Sequence, residues 1–397
     1  MLPTRSLEYD LPEDLVATRP ARPRDSARMM VLRRSEPGRV EHRKVRDLAG
    51  YLSSRDLVVV NQTRVLSARF RCVRADTGGL GEGLFLSEVQ DNSETASAGC
   101  RWRVLLKLRR AKAGCLVNLL TPSGSQSGVR LRLVGRASPE DTSPASGDGW
   151  CAEVECDPAV WLDATTASIL ECVGLPPIPP YILASRRKHG EPEEQPDDAV
   201  SYQTVFAGQP TNNAEPQGSI AAPTAGLHLT PSLLRALEVR GVERREVVLS
   251  VGMGTFRPVE TDYVEQHPMH SEWCMVPGAT AEAIRARTAP SGSLVLAVGT
   301  TTARTLESYR STEEMLECPT RKTAILITPG HRFVHFSALL TNFHLPRSTL
   351  MAMVAAFLDD DDRVRGRGLE RLLAAYALAV QERYRFYSFG DAMLILP

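Results

Sequence analysis

Ser293-Leu294-Val295-Leu296-Ala297-Val298-Gly299-Thr300-Thr301-Thr302-Ala303-Arg304-Thr305 decides the fold class of this chain. The apolar run up to Val298 has the length and residue types of a buried strand. Gly299 lets the backbone turn sharply, and the threonines after it can cap a helix that carries Arg304. A strand feeding a helix in this way is a β-α unit, and the same alternation continues from residue 218 to the end. Thr230-Pro231-Ser232 opens another helix, with threonine as cap and proline at the first position. Leu233, Leu234 and Leu237 form its apolar stripe, and Gly241 follows its end. Leu57-Val58-Val59-Val60 is a further buried strand ending in Asn61-Gln62-Thr63-Arg64, and Ala324–Ile327 and Ala392–Leu396 are expected strands.

Between residues 65 and 155 the pattern changes to short strand-like runs separated by Gly and Ser, such as Trp102–Leu106, Leu116–Leu120 and Val129–Val134. Regular short strands predict a small β-barrel. The chain is therefore expected to be a layered α/β sandwich with a small inserted β-barrel domain. Residues 1–64 and 156–397 would form the α/β catalytic domain, and 65–155 the barrel. Polar stretches at 87–99 and 137–149 are expected barrel loops. Pro176-Pro177-Ile178-Pro179-Pro180-Tyr181 is expected to be a stiff connector, because proline fixes φ and donates no hydrogen bond. The acidic run 191–198 and the polar run 208–217 are expected surface loops, and Asp359–Asp362 a solvated helix exit.

At 397 residues with 43% hydrophobic and 24% charged side chains, the composition is that of a globular protein. No apolar run approaches the roughly 18 residues that span a bilayer, so no membrane is expected. The N-terminal Met1-Leu2-Pro3-Thr4-Arg5 lacks a signal-peptide core, and the cytoplasm is the expected compartment. Eight cysteines are scattered without a Cys-x-x-Cys pair, which predicts free thiols and no zinc site. The net charge is zero but unevenly spread. Residues 1–136 hold 25 Lys and Arg against 14 Asp and Glu, a net of +11, and the remainder balances it. Such asymmetry suits a face for polyanions, or two halves that neutralise each other.

Four blocks carry chemistry beyond packing: Gly218–His228, Met269–Trp273, Gly299–Thr305 and Thr341–Thr349. The amides and hydroxyls after Gly299 can receive an anion, or simply form a well-capped helix. His228 precedes the helix start at Thr230, where the positive helix end favours a neutral imidazole able to accept a proton. His270 and Glu272 form a candidate acid/base or substrate-orienting pair. Pro268 spoils the spacing by which His267 and His270 could share a metal, so no metal is expected. Arg101, Arg103, Lys107, Arg109 and Arg110 surround Trp102, so arginines could bind phosphates while the indole stacks on a base. Strand alternation would instead bury Trp102 and leave the arginines as surface charge.

The residues resemble a known family, the S-adenosylmethionine:tRNA ribosyltransferase-isomerases of queuosine synthesis. The resemblance runs through Tyr9–Pro12, Arg24–Arg28, Asn61–Val65, Tyr202–Ala207, the four blocks, Gly254–Val259 and Tyr384–Met393. Gln62 departs from the pattern, standing where aspartate is expected. The resemblance implies transfer of the ribosyl part of S-adenosylmethionine onto 7-aminomethyl-7-deazaguanine at the tRNA wobble position. Epoxyqueuosine forms, and adenine and methionine leave. It implies no cofactor, because S-adenosylmethionine is a consumed substrate, and a monomer is expected. From their placement in the blocks, His228, His270 and Glu272 are the expected catalytic groups for this reaction. Thr224, Gly226, Gly299, Thr300, Thr301, Thr302, Arg304, Asn342, His344 and Asp391 would bind substrate, with Asp391 accepting two donors of the base. The methionine carboxylate would meet Thr300–Thr302 with Arg304 nearby. A non-catalytic RNA-binding module and an RNA methyltransferase are the alternative classes.

Overall fold

Val295–Val298 is a fully buried strand, and its two faces pack into two different cores. Val295 and Ala297 face one, Leu296 and Val298 the other. Leu57–Asn61 alternates in the same way, with Leu57 and Val59 opposite Val58 and Val60. A strand apolar on both faces belongs in the middle of a covered parallel sheet. That is where the computed structural model, describing residues 1–89, 100–137, 149–162, 164–208, 218–252, 258–288, 292–359 and 366–397, places both.

Among the described residues the large sheet has nine strands. Glu243–Leu249, Leu57–Asn61, Val295–Val298 and Ala338–Asn342 run parallel at its centre. Ala392–Leu396 lies antiparallel to Ala338–Asn342 and parallel to Arg28–Arg33. Val40–Lys44 ends one edge; Glu272–Met275 and Thr320–Thr323 end the other. Helices Thr300–Glu307, Thr349–Asp359 and Gly368–Gln381 cover one face, and Pro231–Val239 the other. This is the expected α/β sandwich.

The barrel is also present. Arg69–Arg74, Leu80–Val89, Arg101–Lys107, Gly149–Cys156, Gln126–Arg136 and Leu116–Leu120 pair in that order, and Leu116–Leu120 returns to Arg69–Arg74 to close the ring. Closure removes the unpaired edges that an open sheet would expose. Gly83 makes room inside: a Cβ there would stand 2.2 Å from the Phe70 ring. Trp102 is buried in this core and its indole N–H donates to Thr166 Oγ1 at 2.8 Å. The stacking role for Trp102 is therefore excluded, because the ring faces inward on the strand.

Several local expectations change. Ser87–Val89 belong to a strand, paired with Arg101–Arg103, rather than to a loop. The edge strand is Thr320–Thr323 and not 324–327, because its four-residue partner pairs Glu272 with Thr323 and ends there. Pro180 opens the helix Pro180–Lys188, so the rigid connector stops at Pro179. The acidic run is tied down: buried Arg186 holds Asp198 through two hydrogen bonds of 2.7 and 2.8 Å and also takes the carbonyl of Glu193. Asp359 is buried and accepts from the amides of Arg367 and Gly368, joining two helices instead of facing solvent. The expectations for 90–99, 138–148, 209–217 and 360–362 lie outside the described residues. All eight cysteines are free thiols. No described helix is long and apolar enough to cross a membrane.

Candidate functional site

In an open α/β sheet the carboxyl ends of the parallel strands leave a crevice where neighbouring connections diverge. Here Val298 leads to Gly299, and Asn342 leads to Phe343 and His344, on adjacent strands. Asn342 also lies opposite Ala392 in the antiparallel neighbour, so Tyr387 and Ser388 arrive at the same edge. These segments line a solvent-open cleft of about 560 Å3, together with Tyr181, Thr224, Thr300, Thr301, Thr341 and Leu350.

Gly299 sits at φ +90°, a conformation that disfavours a side chain, and this turn brings the first amides of helix Thr300–Glu307 to the cleft. The threonines do not cap that helix as expected. Thr302 turns its hydroxyl back to the carbonyl of Val298 at 2.7 Å and does not line the cleft. Thr301 is different: its hydroxyl is buried and has no hydrogen-bond partner among the described residues. A buried hydroxyl left this way costs on the order of 1–3 kcal/mol unless a ligand or water meets it.

Asn342 is the hub of the cleft floor. Its Oδ1 accepts from the Thr224 hydroxyl at 3.0 Å, and its amide nitrogen lies 3.1 Å from His228 Nε2 and 3.2 Å from the Tyr387 carbonyl. Tyr387 holds φ +71°, strained for a residue with a side chain, and packs edge-on against Tyr181 at 4.9 Å. His344 lines the cleft directly. Its ring lies 2.8 Å from the Thr341 hydroxyl, and its backbone is clamped between the hydroxyls of Tyr376 and Tyr9. His228 stands behind Asn342 and does not line the cleft. Burial pushes the His228 pKa down to about 4 and that of His344 to about 3. His228 is thus neutral as expected, but through burial first, with Arg385 and Arg24 adding to it and Asp391 opposing.

A smaller recess, about 330 Å3, shares Leu350 with the cleft and is lined by His267, Met269, His270, Glu272, Arg304 and Thr349. Glu272 accepts from the Gly252 amide at 3.0 Å and forms an ion pair with Arg304 at 2.6 Å, so it serves the arginine rather than standing as a free base. Among the described residues no group of three or more His, Cys, Asp or Glu side chains is gathered as metal ligands.

Two expected site residues have structural work instead. Asp391 is buried with both oxygens taken, by the amides of Arg28 and Arg385 and by the Arg385 guanidinium. With three donors already on its oxygens it has room for at most one more, so it does not accept two neighbouring donors of a base. Gly226 does not line the cleft; a Cβ there would come within 2.8 Å of Phe206, so the glycine serves packing. On the barrel, Arg101 is half-buried and paired with Glu153, while Lys107, Arg109 and Arg110 are exposed around one turn. Arg74 fixes that turn by donating to the carbonyls of Arg109 and Arg110. Tyr181 and Tyr387 were not among the expected residues. Tyr387 lies in a stretch that carries the resemblance, but its strain and placement come only from the fold.

The queuosine biosynthesis protein family matches this chain over residues 4–395. An S-adenosylmethionine:tRNA ribosyltransferase-isomerase of Moorella thermoacetica is 40% identical over 390 residues, 98% of this chain and 98% of its own length. The protein of that name from Rhodopseudomonas palustris is 40% identical over 395 residues, 99% of this chain and 98% of its own. The crystal structure of S-adenosylmethionine tRNA ribosyltransferase from Thermotoga maritima is 30% identical and covers 98% of this chain and 100% of that one, with a TM-score of 0.48. With a match that runs nearly from end to end, this protein belongs to the queuosine biosynthesis family and is an enzyme of the kind its relatives are named for, an S-adenosylmethionine:tRNA ribosyltransferase-isomerase.

Proposed function

We propose that this enzyme transfers and isomerises the ribosyl part of S-adenosylmethionine onto 7-aminomethyl-7-deazaguanine at the tRNA wobble position. Epoxyqueuosine forms in the tRNA, and adenine and methionine are released. One observation carries the reading: at the carboxyl ends of the parallel strands, Thr301 and the ion-paired Arg304 and Glu272 present to adjoining recesses buried polar atoms that have no hydrogen-bond partner among the described residues. A buried polar group without a hydrogen-bond partner calls for one, and at the wall of a cleft a ligand or water can supply it.

The sulfonium of the substrate acidifies the 5′ carbon of the ribose, so a base can take a proton there and start the loss of adenine. The aminomethyl nitrogen must be neutral to attack, which a dry cleft favours by penalising the ammonium form. Methionine then leaves as a neutral thioether and needs no acid. In this scheme His344 faces the substrate as a neutral imidazole that hydrogen-bonds and positions it, and Asn342 orients the floor of the cleft. S-adenosylmethionine is consumed, and the scheme calls on no metal or redox cofactor.

The test is direct. Protein, S-adenosylmethionine and tRNA bearing the aminomethyl base are incubated, and free adenine is measured by chromatography. The reading expects adenine and methionine in equal amounts. S-adenosylhomocysteine in their place would mean a methyltransferase, and neither product would mean a binding module.

The exposed turn Lys107–Arg110 is the proposed contact with the tRNA backbone. Reversing the charge of Arg109 and Arg110 to glutamate is expected to weaken tRNA binding roughly tenfold or more and to reduce the salt slope by about 1–2. S-adenosylmethionine binding should be unaffected. An unchanged slope in a filter-binding titration would place the RNA on another face.

A further inference from the structure

We propose that the Arg304–Glu272 recess reads the zwitterionic amino-acid end of the sulfonium substrate, with Arg304 taking the carboxylate and Glu272 the ammonium. This rests on the reaction proposed above and adds the group that the recess recognises. Arg304 and Glu272 have side chains only 7% and 5% exposed. Each is held by its own element. Arg304 lies on helix Thr300–Glu307, three residues after Thr301 and so on the same face. Glu272 starts the strand Glu272–Met275, and its Oε1 is fixed by the Gly252 amide.

The pair satisfies itself only in part. Nη1 of Arg304 lies 2.6 Å from Oε2 of Glu272, close enough for an ion pair but not aligned as a hydrogen bond. Nε and Nη2 of Arg304 and Oε2 of Glu272 are buried with no hydrogen-bond partner among the described residues. Nε and Nη2 are the two parallel donors along one edge of a guanidinium, the edge that grips a carboxylate in a bidentate pair. Oε2 of Glu272, which lies against Nη1 of the same guanidinium, is an acceptor suited to the ammonium of a ligand whose carboxylate takes the Nε–Nη2 edge. A phosphodiester would satisfy the arginine but set its charge against Glu272, with no cation to offset it. An α-amino acid supplies both charges at adjacent atoms.

The surroundings fit the same ligand. Met269 and Leu350 give the recess apolar walls for a short methylene chain. Leu350 also borders the cleft, and Thr301 lines it, so one ligand can place its amino-acid end in the recess and its ribose in the cleft. S-adenosylmethionine has that two-part shape.

The experiment is competition against labelled S-adenosylmethionine with tRNA present. The competitors are S-adenosylmethionine, its decarboxylated form and its deaminated form. Native protein is expected to bind each altered form at least roughly 10²-fold more weakly, since a site built around buried polar groups rejects a ligand lacking their partner. In Arg304→Lys the penalty against the decarboxylated form is expected to fall below about tenfold, and in Glu272→Gln the penalty against the deaminated form should fall likewise. The native comparison needs no variant, so a variant that fails to fold does not shield the proposal. Equal binding of the decarboxylated form by native protein, with adenine still released from S-adenosylmethionine, would overturn this assignment and leave the reaction standing. Loss of tRNA binding without S-adenosylmethionine in Arg304→Lys, with the ligand preferences unchanged, would assign the recess to RNA phosphate. Absence of adenine release altogether would remove the reaction and this inference with it.

Discussion

His344→Gln is expected to lower adenine release at saturating S-adenosylmethionine by roughly 10²-fold, the cost of a lost substrate-positioning contact, whereas His228→Gln should lower it by less than about tenfold. The contrast follows from their positions. His344 lines the cleft, and when its Nε2 donates to the Thr341 hydroxyl at 2.8 Å its Nδ1 keeps a free lone pair. His228 reaches the cleft only through Asn342, at 3.1 Å. Glutamine at 228 can still hydrogen-bond to Asn342, so the floor of the cleft is preserved. Glutamine at 344 can occupy the space but cannot hold Thr341 and present a second ring nitrogen to the substrate at the same time. Turnover is read as adenine formed per enzyme, with tRNA binding and melting temperature measured for each variant. Near-native turnover in His344→Gln, or an equal loss in His228→Gln, would reverse the assignment.

Acid is expected to destabilise the enzyme through these same two rings. Their pKa values in the folded protein, about 4 for His228 and about 3 for His344, lie below the 6.5 of an unfolded chain. Between 6.5 and the folded value, the unfolded state binds a proton that the folded state refuses. Stability therefore falls as pH drops through this window, and neither ring affects its pH dependence above it. From pH 7 to 4.5 each ring costs about 2–3 kcal/mol. Urea unfolding at the two pH values should show a loss smaller by that amount in His228→Gln and again in His344→Gln. Pairs of curves that stay parallel to the native ones would mean that the rings are protonated in the folded protein, against their burial.

Local rules in the sequence were sufficient for whatever depends on neighbours in the chain. Thr230 caps its helix through Leu233, and Pro231 takes the first position, because both effects act within one turn. The apolar runs at 57–60 and 295–298 read as buried strands and the short strand-like runs after residue 65 as a small barrel; that the first two are central and that the barrel closes came from the fold. The resemblance in the four blocks, Tyr384–Met393 and elsewhere was legible because it lies in contiguous residues.

What the tertiary structure decided was direction and partnership. Asp391 follows a glycine and an aromatic, which suits a base-reading carboxylate, yet the amides of Arg28 and Arg385 consume its oxygens. Nothing within a few residues of Asp391 announces Arg28, 363 positions away. Trp102 and Thr302, by contrast, turn inward under local rules, strand alternation and helix back-bonding. Conversely, Arg304 and Glu272 are 32 residues apart and belong to different elements, and only the sheet brings them to 2.6 Å. Sequence sets which groups a chain carries and how each segment folds. Burial and long-range pairing then decide which of those groups are spent on the fold and which are left open to a ligand.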